Sequence, residues 1–271
     1  MTKFERIISE TTQPATRQSL LADLRQLGIA HGDMLMVHTS LSKLGYIVDG
    51  KQSLLQALID SVGEAGTILM PAQTGSNSDP ENWSMPPIPQ DWWQTVRDNI
   101  PAFDKHTSPS DVGAVAEAFR AYPNTLRSDH PQVSFCARGA LAQELTRTHV
   151  LTPKFGHDTP LGKLYQLGAK ILMLGTDYDT VTALHLSEVE SGRSSVSQDA
   201  AAMFVNGERV WQVFNDYDYD TDDFVAIGQA YEAEHTVVSG KVGMGVAKVL
   251  DMRSIVDFAT VYMKEHPLAV Q

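Results

Sequence analysis

The stretch from Ile171 to Glu188, ILMLGTDYDTVTALHLSE, constrains this chain more than any other. Four apolar residues (171–174) read as a buried strand that ends at Gly175. A polar turn with Asp177 and Asp179 follows, and then a helical run carrying His185 and Glu188 three residues apart. A strand, a glycine turn and a helix in this order build an α/β unit, and open α/β sheets bind ligands beyond the carboxyl ends of their strands. An acid and an imidazole delivered to that edge suggest an oriented general base.

The rest of the chain repeats the alternation. Leu20, Leu21, Leu24 and Leu27 form one helical stripe in 16–28, ended by Gly28. MLMVH (34–38) and TILM (67–70) read as short strands around a helix over 52–63. Helices are expected over 111–122, 140–149, 160–168, 222–234 and 254–266, the last capped by Ser254, with a strand over 133–137. The expected fold class is α/β, a three-layer α/β/α arrangement around a central, largely parallel mixed sheet. The chain is read as a single domain over 1–271. Within it, AAMFVNGERVWQVF (201–214) predicts a hairpin about Asn206-Gly207. Residues 71–109 form the longest irregular stretch. They hold Trp83, Trp92 and Trp93, which suits a docked lid or pocket wall better than a free linker.

Composition narrows the function. A formal net charge of −12 argues against nucleic acid or an anionic membrane as partner. Attraction of a cationic small molecule and plain solubility both remain consistent with it. No apolar run reaches the roughly 20 residues of a membrane span. The opening MTKFERIISETTQ lacks the apolar segment of a secretion signal. The one cysteine, Cys136, fits a reducing compartment, so a cytoplasmic protein is expected.

Several constellations offer chemistry. Asp179 is placed to orient His185 as base, although the spacing equally suits a helix-entry acid and a packed histidine. Glu188 shares the His185 face and stands either behind the imidazole or in solvent. In VHTSLSKLG, the strand end at His38 runs into Thr39, Ser40, Leu41 and Ser42, whose hydroxyls and backbone N–H groups suit phosphate or carbonyl oxygens. Gln73 leaves the end of another strand. Arg127 is read as either an anion contact or a structural group. Cys136, mid-strand, reads as core. KVGMGV (241–246) resembles a glycine-rich phosphate loop only loosely. Asp177, Asp179, His157 and His185 have the donor types of a metal-dependent hydrolase, at no standard spacing.

Taken together, VHTSLSKLG, GTILMP, TSPSDVGAVAEAFR, RSDHPQVSFCARG, DTPLGKLYQLGAKILMLGTDYDTVTALHLSE and GKVGMGVAKVLDMRSIVDFA resemble the aminoglycoside 3-N-acetyltransferase family over nearly the whole chain. The resemblance implies acetyl-CoA as donor, an amine as acceptor and no metal. It makes Asp179 the orienting acid and His185 the general base. It makes Thr39, Ser40, Leu41 and Ser42 the pantetheine and phosphate loop, with Thr107, Ser108 and Arg127 as further cofactor contacts. Gln73, Glu232 and Glu234, with the acidic run 215–223, are the acceptor-side candidates. Val181 stands where the family usually has Asn, which alters one pocket wall. The resemblance allows a homodimer. It leaves open an amine other than an aminoglycoside, and a relative that binds without turnover.

Overall fold

The computed structural model describes residues 1–84 and 86–267. Nine strands appear among them: β1 (Met34–Thr39), β2 (Thr67–Pro71), β3 (Leu126–Arg127), β4 (Phe135–Gly139), β5 (Lys170–Leu174), β6 (Val196–Val205), β7 (Glu208–Tyr217), β8 (Val238–Val242) and β9 (Gly245–Asp251). The helices are α1 (Lys3–Glu10), α2 (Arg17–Gln26), α3 (Gly50–Val62), α4 (Trp93–Asn99), α5 (Ala114–Arg120), α6 (Ala142–Thr146), α7 (Pro160–Leu167), α8 (Leu184–Ser191), α9 (Phe224–Glu234) and α10 (Met252–Glu265).

Seven strands form one sheet in the order β3-β4-β2-β1-β5-β9-β8, while β6 and β7 pair separately. The α/β class and the mixed sheet are as the sequence predicts. Parallel pairing is confined to the centre, β2-β1-β5, and the outer pairings are antiparallel. The reason is local. Val242 pairs with Gly245, so β8 and β9 are joined by a two-residue turn, and so short a connection can only link antiparallel strands. The stretch read as a loose phosphate loop is therefore a hairpin at the sheet edge.

Alternation along the central strands feeds two cores. Met36, Leu69, Phe135, Ile171 and Met173 pack with α6, α7, α8, α9 and α10 on one face. Leu35, Val37, Ile68, Met70, Leu172 and Leu174 pack with α2, α3 and α5 on the other. Cys136 lies in this second core, fully buried. Each central strand is thus buried on both faces, which is why it reads as a continuous apolar run. The final helix is capped by Asp251, whose side chain accepts the Ser254 N–H at 2.8 Å, not by Ser254 itself. Among the described residues no helix is long and apolar enough to cross a membrane.

The stretch 71–109 docks mainly on the β6–β7 hairpin. Asn77 exchanges two hydrogen bonds with the Ala202 backbone at 2.8 and 2.9 Å, and Phe103 N–H donates to the Ala202 carbonyl at 2.9 Å. Arg97 pairs with Asp79, and Trp83 donates to Ser78 at 2.9 Å. Of this stretch, Pro71 and Gln73 line the central cleft described next.

Candidate active site

Because β1 and β5 are parallel neighbours, their carboxyl ends open at one edge, with His38 opposite Met173 and Thr39 opposite Leu174. The chain leaves both strands through tight turns. Ser40 N–H donates to the Leu174 carbonyl at 2.8 Å. Gly175 turns away at φ +67°, where a Cβ would sit 2.7 Å from the Lys43 side chain. A side chain larger than hydrogen would push these two loops apart. Beyond it the 178–180 turn is wedged by Tyr178, whose ring lies so close to Gly228 of α9 that a Cβ there would meet it at 2.1 Å. These contacts fix the entry to α8.

At the start of α8, His185 points its Nδ1 at Glu188 Oε2, 2.5 Å away. The Glu188 side chain is only 1% exposed and that of His185 11%. Oε1 of Glu188 accepts the Asp220 N–H at 3.1 Å. The imidazole stacks on Phe155 (4.6 Å between centroids, 18° between planes) and meets Tyr219 edge-on at 5.5 Å and Phe224 at 5.0 Å. A carboxylate is an acceptor only, so the hydrogen bond assigns the proton to Nδ1 and leaves Nε2 with its lone pair. Nε2 has no hydrogen-bond partner among the described residues.

The carboxylate on His185 is therefore that of Glu188, where the six-residue spacing put Asp179. A helix makes i,i+3 side chains neighbours without further help, whereas Asp179 belongs to the turn ahead of the helix. Asp179 is exposed and lines the same cleft as His185, with no hydrogen bond to it among the described residues. The reading of Glu188 as solvated is replaced by full burial.

The cleft has a volume of about 230 Å³ and is lined by His38, Thr39, Gln73, Thr176, Asp179, Thr180, Thr182, His185 and Thr221, among others. Thr39 also borders a second, more apolar cavity of about 390 Å³, which takes in Ser40, Leu41 and Ser42 together with Phe4, Ile7, Tyr46 and Gly113. The loop singled out from sequence is thus the partition between a polar cleft and an apolar one. Val181 lies in the core with no exposure, and its neighbour Thr182 faces the cleft.

Other expected contacts lie elsewhere. Arg127 is buried and held by the protein itself. It donates to the Ala72 carbonyl at 2.6 Å, to Thr74 Oγ1 at 2.9 Å, to Ser134 Oγ at 2.8 Å and to the Ser108 carbonyl, and it stacks over Phe103. It grips the residues on both sides of Gln73 and is a clamp for that strand exit. Its burial pushes its pKa downward. Ser108 accepts the Asp104 N–H at 3.0 Å and Thr107 is exposed in the same turn; neither lines the two cavities. Glu232 is engaged by Tyr178, at 2.7 Å, and by Lys248, which together hold its carboxyl below the usual range. Glu234 borders a groove between α9 and α10. Neither glutamate lines the cleft.

The acidic run 215–223 is partly turned inward, with Asp216 buried and Asp218 and Asp222 exposed. Asp216 accepts from Thr152 at 3.2 Å and from the Tyr219 hydroxyl at 3.3 Å, Asp223 pairs with Arg193, and the Asp220 backbone reaches Glu188. His157 pairs with Glu190 at the surface. Among the described residues no cluster of three or more His, Cys, Asp or Glu is arranged to hold a metal. Burial pushes the Cys136 thiol up to about 12, so it holds its proton at neutral pH and is a poor nucleophile. The residues missed from sequence are Tyr219, Thr221 and His38. For His38 a signal existed: strand alternation places it on the Met36 face, the face that α8 covers.

Comparison with known proteins fits this geometry. The model of the aminoglycoside 3-N-acetyltransferase family matches residues 36–264. The SPbeta prophage-derived aminoglycoside N(3')-acetyltransferase-like protein YokD of Bacillus subtilis (strain 168) is 38% identical over 94% of this chain and 95% of its own length. The crystal structure of YokD superposes with a TM-score of 0.95, covering 97% of this chain and 98% of that one. AAC-IIIb, solved as a binary complex with CoASH, is 30% identical with a TM-score of 0.83 over 96% of this chain and 100% of its own. AAC-VIa bound to sisomicin is 30% identical with a TM-score of 0.84 over 95% and 100%. The family-model match over residues 36–264 and a 38% identical relative aligned along nearly the full length place the chain in the aminoglycoside 3-N-acetyltransferase family.

Proposed function

We propose that this acyltransferase moves the acetyl group of acetyl-CoA directly to an amine of an aminoglycoside-like acceptor, with His185 as general base and Glu188 as its orienting carboxylate. The observation that carries the reading is the His185–Glu188 hydrogen bond of 2.5 Å on the wall of a cleft. The pantetheine arm would enter by the apolar cavity at Ser40–Ser42, and the acceptor would enter the polar cleft. The thioester would then lie near Thr39, which both cavities share. The relatives bound to CoASH and to sisomicin support the two ligand classes.

An alkyl ammonium must shed its proton before its lone pair can attack, and such protons are held with a pKa of roughly 8–10. That first proton passes to water, and Nε2 of His185 takes a second proton from the now neutral amine as its nitrogen bonds to the thioester carbon, so that the product is a neutral amide. The buried Glu188 carboxylate stabilises the imidazolium so formed. The C–S bond then breaks, the electron pair leaves on sulfur, and the imidazolium returns a proton to give CoASH. Backbone N–H groups of the 39–42 loop other than that of Ser40 would receive the negative oxygen as it develops. No cysteine intermediate enters the scheme.

The test is acetyl-CoA-dependent thiol release with a panel of amines, aminoglycosides included, before and after exhaustive chelation. Steady release with an aminoglycoside and an unchanged rate after chelation is the expected result. Release only with other amines would reassign the acceptor. No release with any amine would favour a binding protein, and loss of rate on chelation would favour metal chemistry.

A further inference from the structure

His38 is a second imidazole in the cleft, near the carboxyl end of β1 just before the 39–42 loop. It is 6% exposed, and its Nε2 is buried without any hydrogen-bond partner. Burial pushes its pKa down to about 4, so the ring is neutral in the physiological range. The buried His130 does not share this condition, since both of its ring nitrogens are satisfied by backbone groups. A buried polar atom that gives up water and gains no partner is a cost to the empty protein. The cost is recovered if a ligand supplies the missing bond. The titratable groups that line the cleft with His38 are Asp179 and His185, the proposed base.

We propose that His38 is a substrate-contacting residue, a neutral imidazole that hydrogen-bonds an N–H or O–H group of the acceptor and so positions its amine against His185. This rests on the acetyl-transfer reading above. The division of labour follows from the surroundings of the two rings. His185 has a carboxylate to support a positive charge; His38 has none and can serve only as an uncharged contact. Its place on β1, hydrogen-bonded to β2 and β5 in the middle of the sheet, gives it a fixed position from which small differences between acceptors would be felt.

The test separates binding from chemistry. With CoA saturating, to form a complex that cannot react, sisomicin (or the amine that the panel selects) is titrated into wild type, His38→Phe, His38→Gln and His185→Ala. Losing one buried hydrogen bond should weaken acceptor binding in His38→Phe by about tenfold or more. CoA affinity should stay within about twofold, and His38→Gln should recover much of the loss. His185→Ala should bind the acceptor and fail to turn over, so failure of the base assignment is read from a different variant. In wild type with 15N-labelled histidine, the His38 ring nitrogens should shift on adding acceptor; this arm does not depend on any variant folding. Acceptor affinity unchanged in His38→Phe, equal losses of CoA and acceptor, or unmoved His38 nitrogens would each overturn the proposal.

Discussion

His185 and His149 lie in one row of rings, joined through Phe155 and Phe135, yet they are built for opposite ends. His149 accepts from Ser128 Oγ at 2.9 Å and meets the Lys154 carbonyl at 3.0 Å, and its neighbour His130 is bound to backbone groups at both nitrogens. Every nitrogen of that pair is spent on structure. His185 instead has a carboxylate on one nitrogen and, among the described residues, no partner on the other. What distinguishes a working imidazole here is therefore the kind of partner it has. A carbonyl or hydroxyl fixes a neutral ring, and only a buried carboxylate makes a charged ring tolerable as well.

The largest test of that contrast is His185→Ala. It removes the proposed base and should lower kcat by about a hundredfold or more, with CoA binding retained. Near-normal turnover would refute the base assignment. Glu188→Gln comes next. It keeps the shape and a hydrogen-bonding side chain but removes the charge that balances an imidazolium. We expect roughly a ten- to hundredfold fall in kcat with little change in acceptor KM. Equal losses in KM would point to a collapsed cleft instead.

The structural pair should answer to pH instead of to turnover. Burial holds His149 down to about 4 and His130 well below its ordinary value, whereas the unfolded chain takes up these protons near 6.5. The unfolded state then binds more protons throughout the interval, so stability falls as pH drops from about 6.5 towards 4. The slope is about 1.4 kcal/mol per pH unit for each such proton. His149→Gln should be less stable at pH 7 but lose less on acidification, as urea titrations at several pH values would reveal. An unchanged slope would show that His149 is already charged or already free in the folded protein.

The same contrast explains what could be read from the sequence. β1, β2 and β5 were legible because strands buried on both faces are continuous apolar runs, and β6–β7 because Asn206-Gly207 marks its turn. α1 was not, since none of its residues is buried and its stripe meets no core. His185 stood out by following a strand and a glycine turn. Its carboxylate was misassigned because a spacing of six must be closed by a turn whose path the sequence does not specify, while a spacing of three is closed by the helix itself. Arg127 was legible as important and illegible in role. Its partners are carbonyls from segments as far apart as Ala72 and Ser108, and a long-range backbone contact leaves no motif.

The smallest expected effect is the one that decides between the two acids. Asp179 is exposed at the rim of the cleft and unpaired with His185, so it stands where a cationic acceptor would pass. An exposed charge contributes roughly 0.2–1 kcal/mol to such a contact, and salt screens it. Asp179→Asn should therefore raise the acceptor KM by no more than about fivefold, with the gap from wild type closing as salt is added, and leave kcat nearly unchanged. Loss of kcat on the scale of Glu188→Gln, independent of salt, would mean that the turn closes over the helix during turnover and that Asp179 supports the imidazolium after all. Two aspartate and glutamate variants, measured at two salt concentrations, thus tell an acid that guides the substrate from an acid that sustains the base.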